Sequence, residues 1–125
     1  MLNIDDLDPF TRAYMECALW STNDESTPSG GEPMDTNYSI TDIADETVVV
    51  MRADCDKFQA ENAEDIRGEE SQAGHDFWLT RGGHGCGFWE VPDWPEEAGK
   101  RLTAAAKAFG EFDLYVGDDG KIYHG

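Results

Sequence analysis

The sequence predicts one α+β domain over residues 1–125, ordered helix, helix, hairpin, helix, hairpin. The expected sheet is four-stranded and mostly antiparallel, with the helices mainly on one face. Three observations lead there. Apolar residues recur three and four positions apart in three separate stretches, the mark of amphipathic helices. Two aromatic-rich stretches are broken by turn signals, Gly82-Gly83 and Gly117-Asp-Asp-Gly120. The length of 125 residues suits a single domain, which at this size buries roughly two thirds of its unfolded surface and folds without disulfide or metal.

The first helix is expected from about Pro9 to about Trp20. Asp8 is its natural N-cap and Pro9 sits in the first turn, where a missing N–H costs nothing. Phe10, Ala13, Tyr14, Cys17, Ala18 and Trp20 are its apolar positions. Ser21–Tyr38 is rich in Ser, Thr, Pro and Gly and poor in apolar residues, so it reads as a long mobile loop. A second helix begins near Ser39 or Thr41 and carries Ile43, Thr47, Val50, Met51, Cys55, Phe58, Asn62 and Ile66 on one face. The valines at 48–50 favour strand, but the helical period continues beyond them to a stop at Gly68.

His75–Arg81 and Gly85–Glu90 read as the strands of the first hairpin, after a short linker at Glu69–Gly74. A third helix starts at Pro95-Glu-Glu, buries Leu102, Ala105, Ala106 and Phe109 against the sheet, and stops at Gly110. Phe112–Val116 and Lys121–His124 then flank the second hairpin turn.

A net charge of −18 is the dominant feature of the composition. Residues 1–40 carry eight acids against Arg12, residues 41–74 ten acids against three bases, and residues 75–125 nine acids against five. Such a field repels DNA, RNA and anionic membranes and draws in basic surfaces; the competing reading is that the acidity serves solubility. Direct nucleic-acid binding is disfavoured because no basic track accompanies the aromatic residues. No apolar run reaches membrane-spanning length. The N-terminus lacks the regions of a signal peptide, and three dispersed cysteines make no disulfide framework, so a reducing, cytoplasmic setting is expected.

The stretch His75-Asp-Phe-Trp-Leu-Thr-Arg, followed by Gly83-His-Gly-Cys-Gly-Phe-Trp-Glu, resembles a family of small acidic proteins encoded by bacteriophages and other mobile elements. Ala13-Tyr-Met-Glu-Cys-Ala-Leu-Trp and the tail from Leu102 through Asp113-Leu-Tyr-Val-Gly-Asp-Asp-Gly-Lys-Ile-Tyr add to the resemblance, which covers most of the chain outside the loop. Family members tend to carry Asn at the position of Gly82 and Asp at that of Glu90. The resemblance implies a phage-type genome context and assigns no activity.

Several chemistries compete with packing as explanations of the ligand-type residues. His75, His84, Cys86 and His124 are metal-ligand types with Asp76 nearby, but neither Cys-x-x-Cys nor His-x-x-x-His occurs, so no metal is expected. Cys86 would need a facing histidine base to act as a nucleophile, and His84 points along the same strand face. Gly117–Gly120 has too few carboxylates for a calcium loop, and no phosphate-cradling loop leads into a helix. No cofactor is expected.

The remaining reading is a non-enzymatic protein whose acidic surface imitates nucleic acid. Asp54, Glu61 and Asp65 fall near one face of the second helix, about 10 and 6 Å apart along its axis at about 1.5 Å per residue. Asp42, Asp45, Glu46, Asp56 and Glu64 broaden the array. The expected partner is the basic surface of a host nucleic-acid-binding or defence protein, which would be inhibited. The alternative is a ligand-binding or sequestering pocket, or a hydrolase site, built from His75, Trp78, Arg81, His84 and Trp89 with Cys86.

Overall fold

The computed structural model describes residues 6–24, 31–82, 87–88 and 94–125. Among these residues, four α-helices surround an aromatic core, and two short antiparallel ladders flank them: α1 (Pro9–Ser21), β1 (Asn23–Asp24), β2 (Glu32–Pro33), α2 (Asp45–Ile66), α3 (Glu70–Gly82), α4 (Glu96–Lys107), β3 (Leu114–Val116) and β4 (Ile122–His124).

Local chemistry sets α1 as expected. The Thr11 amide donates to the Asp8 carboxylate at 2.7 Å, and Pro9 occupies the first turn. Burial pushes the Asp8 carboxyl up, but the bonds from Thr11 and Gln59 and the charge of Arg52 outweigh it and hold the group below its ordinary value. Phe10, Tyr14, Met15, Cys17 and Ala18 are buried.

Within the stretch expected as a loop, β1 pairs with β2, and Met34 follows them into the core from a 3₁₀ turn over Met34–Thr36. Ser39 does not open α2. Its amide donates to Asp42 at 2.8 Å within a second 3₁₀ turn, Ile40–Asp42. Ile43 then bridges in parallel to Ile122, and the Ala44 amide donates to the Ile122 carbonyl at 2.9 Å. This contact with β4 keeps the backbone extended, so α2 starts only at Asp45. Its buried stripe of Thr47, Met51, Cys55, Phe58 and Ile66 follows the predicted period. The helix is kinked at Asn62, whose side-chain amide donates to the Phe58 carbonyl at 2.9 Å. Gly68 and Gly110, after α2 and α4, both adopt the left-handed φ that favours glycine.

The main correction concerns α3. The segment 75–81, expected as a strand, is the interior of a helix that begins at Glu70, within the supposed linker. The first strand of the expected hairpin is therefore helix, and most of its second strand, Gly85–Glu90, lies outside the described residues. The described strands form two separate two-stranded ladders, not one four-stranded sheet. The reason is burial. α3 packs against α1, α2 and α4, and Ala73, Phe77, Trp78, Leu79, Thr80 and Arg81 are all buried. A helix covered on several sides shows no single apolar stripe, and a short apolar run is ambiguous between helix and strand.

The aromatic residues of that run form the core. Phe77 stacks on Phe58 at 4.3 Å and meets Tyr14 at 5.1 Å and Phe109 at 5.2 Å. Gly74 lets α1 and α3 touch: a Cβ there would stand 2.0 Å from the Phe10 carbonyl oxygen. α4 packs mainly on α2 and α3 and buries Leu102 and Ala106. The C-terminal hairpin is as predicted, with Tyr115 opposite Tyr123.

Candidate functional site

The acids expected to form one array divide into two groups. Glu46, Asp56, Glu61 and Glu64 are exposed on α2, as is Asp45 in its first turn. Asp54 and Asp65 instead have cations of their own chain. Asp54 accepts from Arg81 Nη1 at 2.9 Å. Asp65 takes a two-pronged bond from Arg101, Nε at 2.9 Å and Nη2 at 2.7 Å. Hydrogen bonds from Arg101, reinforced by its charge, hold the Asp65 carboxyl below its ordinary value, and Asp65 raises Arg101 in return. The kink at Asn62 separates Glu61 from Asp65, so the intended line of three carboxylates is bent as well as partly neutralised. Asp42 stands apart from the helix in its 3₁₀ turn.

The described members of the expected pocket, His75, Trp78 and Arg81, are also dispersed. Arg81 is buried and fully engaged. Nη1 donates to the Tyr14 hydroxyl at 3.0 Å as well as to Asp54, Nε donates to the Gly110 carbonyl at 2.9 Å, and Nη2 donates to the Phe109 carbonyl at 3.3 Å. The guanidinium also lies over the rings of Phe77, Phe109 and Phe112. It holds the end of α4 and the start of the C-terminal hairpin against the core. Burial pushes the Tyr14 hydroxyl far up despite the opposing charge of Arg81, so that hydroxyl stays protonated. Trp78 is buried and donates its indole N–H to Ser21 Oγ at 2.6 Å. His84, Cys86 and Trp89 lie outside the described residues.

Asp76, between His75 and the aromatic run, is a buried carboxylate that the sequence suggested only as a neighbour of possible metal ligands. Its carboxylate accepts from Trp94 Nε1 at 2.7 Å and from the Gln72 amide at 3.1 Å to each oxygen, with His75 Nδ1 at 3.3 Å. It fastens the segment before α4 to α3. A carboxylate inside an aromatic run was the available signal, because a buried charge requires such partners.

Of the expected pocket group, His75 alone among the described residues faces a groove. The groove is about 430 Å³ and includes Trp20, Glu16, Asp35, Ser71 and Gln72 in its lining. Trp20, expected among the apolar positions of the first helix, is instead 58% exposed, and its ring lies 6.1 Å from that of His75. An adjoining groove of about 310 Å³ shares Glu16 and Asp35. Cys17 and Cys55 are buried, and burial pushes the Cys55 thiol well above its ordinary value, away from reactive thiolate character. Among the described residues, no three His, Cys, Asp or Glu side chains are grouped to hold a metal ion, and no helix is long and apolar enough to cross a membrane.

No protein-family model matches the chain, and no curated protein or solved structure matches it.

Proposed function

We propose that the protein is a non-enzymatic binding protein that uses the exposed acids of α2 to occupy the basic surface of a nucleic-acid-binding partner, and so inhibits it. The observation that carries this reading is the solvent-facing set Glu46, Asp56, Glu61 and Glu64 in a chain of net charge −18. Carboxylates crowded along one helix raise the local negative potential, which speeds encounter with a cationic surface and disfavours anionic competitors. The phage-type resemblance of the sequence suggests restriction, CRISPR-type or other defence nucleases in a bacterial cytoplasm as targets. Asp54 and Asp65 have a different role here from the exposed four: their charges are spent on Arg81 and Arg101 within the fold.

Displacement of labelled duplex DNA from purified restriction and CRISPR-type nucleases tests the proposal. The protein should displace DNA at low salt and lose potency steeply as salt rises. Reversing Glu46, Asp56, Glu61 and Glu64 to Lys should weaken displacement at least tenfold while the circular-dichroism spectrum stays native. Undiminished displacement by the folded reversal variant would refute it.

A further inference from the structure

Trp20 differs from the other described tryptophans. Trp78 and Trp94 are buried and their indole N–H groups are bonded to Ser21 and Asp76, whereas Trp20 opens its ring to the groove on α1 and α3. The ring faces His75 at an interplanar angle of 34°. Glu16, one helical turn before Trp20, and Asp35, on the 3₁₀ turn that follows β2, add carboxylates to the same lining. A flat aromatic surface beside carboxylates suits a planar cation: the guanidinium stacks on the ring while its N–H groups reach the acids.

We infer that this groove receives an arginine side chain of the basic partner, with the guanidinium on Trp20 and its donors turned to Asp35 and Glu16. The inference rests on the reading that the protein binds a basic partner, and it adds a second point of attachment away from the acids of α2. The charged groups around the groove define the competition. Arg12 already reaches Glu16 at 3.2 Å across an exposed pair, so the incoming guanidinium shares Glu16 with it and meets Asp35 directly. His75 stands beside the buried Asp76 carboxylate, and its ring faces that of Trp20 across the groove. The neighbouring groove, bordered by the same two carboxylates together with Tyr38, gives the adjoining residues of the partner a place to lie.

The test uses octa-arginine and octa-lysine peptides with the intact protein, Trp20→Ala, Asp35→Asn and the fourfold α2 reversal. Binding is followed by fluorescence anisotropy of labelled peptide and by the shift of the Trp20 indole resonance. Octa-arginine should bind more tightly than octa-lysine and move the Trp20 signal. Trp20→Ala and Asp35→Asn, both at exposed positions, should each weaken octa-arginine binding about fivefold, the scale of an exposed cation–π or charge-assisted contact. The α2 reversal should still show the indole shift at raised peptide concentration. Octa-arginine binding that is unchanged in Trp20→Ala overturns the groove inference while leaving the acidic-surface reading in place. Failure of the intact protein to bind either peptide at low salt overturns both.

Discussion

Substituting Gly74 by Ala sets two well-known effects against each other. In an exposed helix interior, Gly→Ala stabilises by about 1 kcal/mol, because alanine restricts the unfolded chain and favours the helix. Gly74 is buried in α3, however, and an added Cβ would lie 2.0 Å from the Phe10 carbonyl oxygen and 2.9 Å from its carbonyl carbon. Both atoms are α1 backbone, which cannot rotate away as a side chain could. Ordinary contact requires more than 3.4 Å, so α1 and α3 would have to part by more than 1 Å along the line of closest approach. The two helices carry Phe10, Tyr14, Phe77 and Trp78 into the core, and their separation would loosen the ring contacts made there. Overpacking of this kind costs about 1–3 kcal/mol even where side chains can yield. Against a rigid backbone the upper end applies, leaving a net loss of about 2 kcal/mol after the propensity gain. Urea unfolding followed at 222 nm should show a lower midpoint with an unchanged slope. A variant as stable as the parent, or more stable, would refute the close approach of α1 and α3.

Two further outcomes follow from the buried charges and the helix cap. Arg81→Met should destabilise the fold by about 3–5 kcal/mol, since it strands the Asp54 carboxylate, the Tyr14 hydroxyl and two carbonyls; Arg81→Lys should recover only part, lacking the planar fork. A loss below 1 kcal/mol in Arg81→Met by chemical denaturation would show that these bonds do not hold the fold. The Asp8 carboxyl titrates below its ordinary 3.8 in the folded chain, so the folded state favours its charged form. Its contribution is therefore complete above about pH 4 and is lost as pH falls through the lower folded value. Asp8→Ala should cost about 1 kcal/mol at pH 7 and flatten this part of the acid limb in pH-dependent melting; an acid limb identical to the parent's would count against the cap.

Much of the fold was legible because it is governed by neighbours in sequence. Asp8-Pro9 starts α1 and Gly117–Gly120 turns the C-terminal hairpin through contacts that span a few residues. The spacing of Met51, Cys55, Phe58 and Ile66 placed the buried side of α2 correctly even though its start was misjudged. That start depended on Ile122, far along the chain, holding Ile43 extended. α3 was the least legible element, because Phe-Trp-Leu-Thr matches a strand by composition and burial on several sides removes the helical period. The site was less legible than the fold. Exposed Glu46, Asp56, Glu61 and Glu64 follow from the α2 period, but Trp20 and Asp35 join His75 only through packing.

Sequence alone determined the acidity, the helix cap, the C-terminal hairpin turn and the apolar period of α2, since each depends on composition or on residues within a turn of one another. Tertiary structure decided whether the aromatic run became strand or helix, and that Asp54 and Asp65 are paired with cations of the chain itself. Asp54 is answered by Arg81 across 27 residues and Asp65 by Arg101 across 36. Local propensity cannot choose between conformations of a short apolar run when every side is to be buried. Likewise a carboxylate's electrostatic role is set by the cation that folding brings to it, not by its position along the chain.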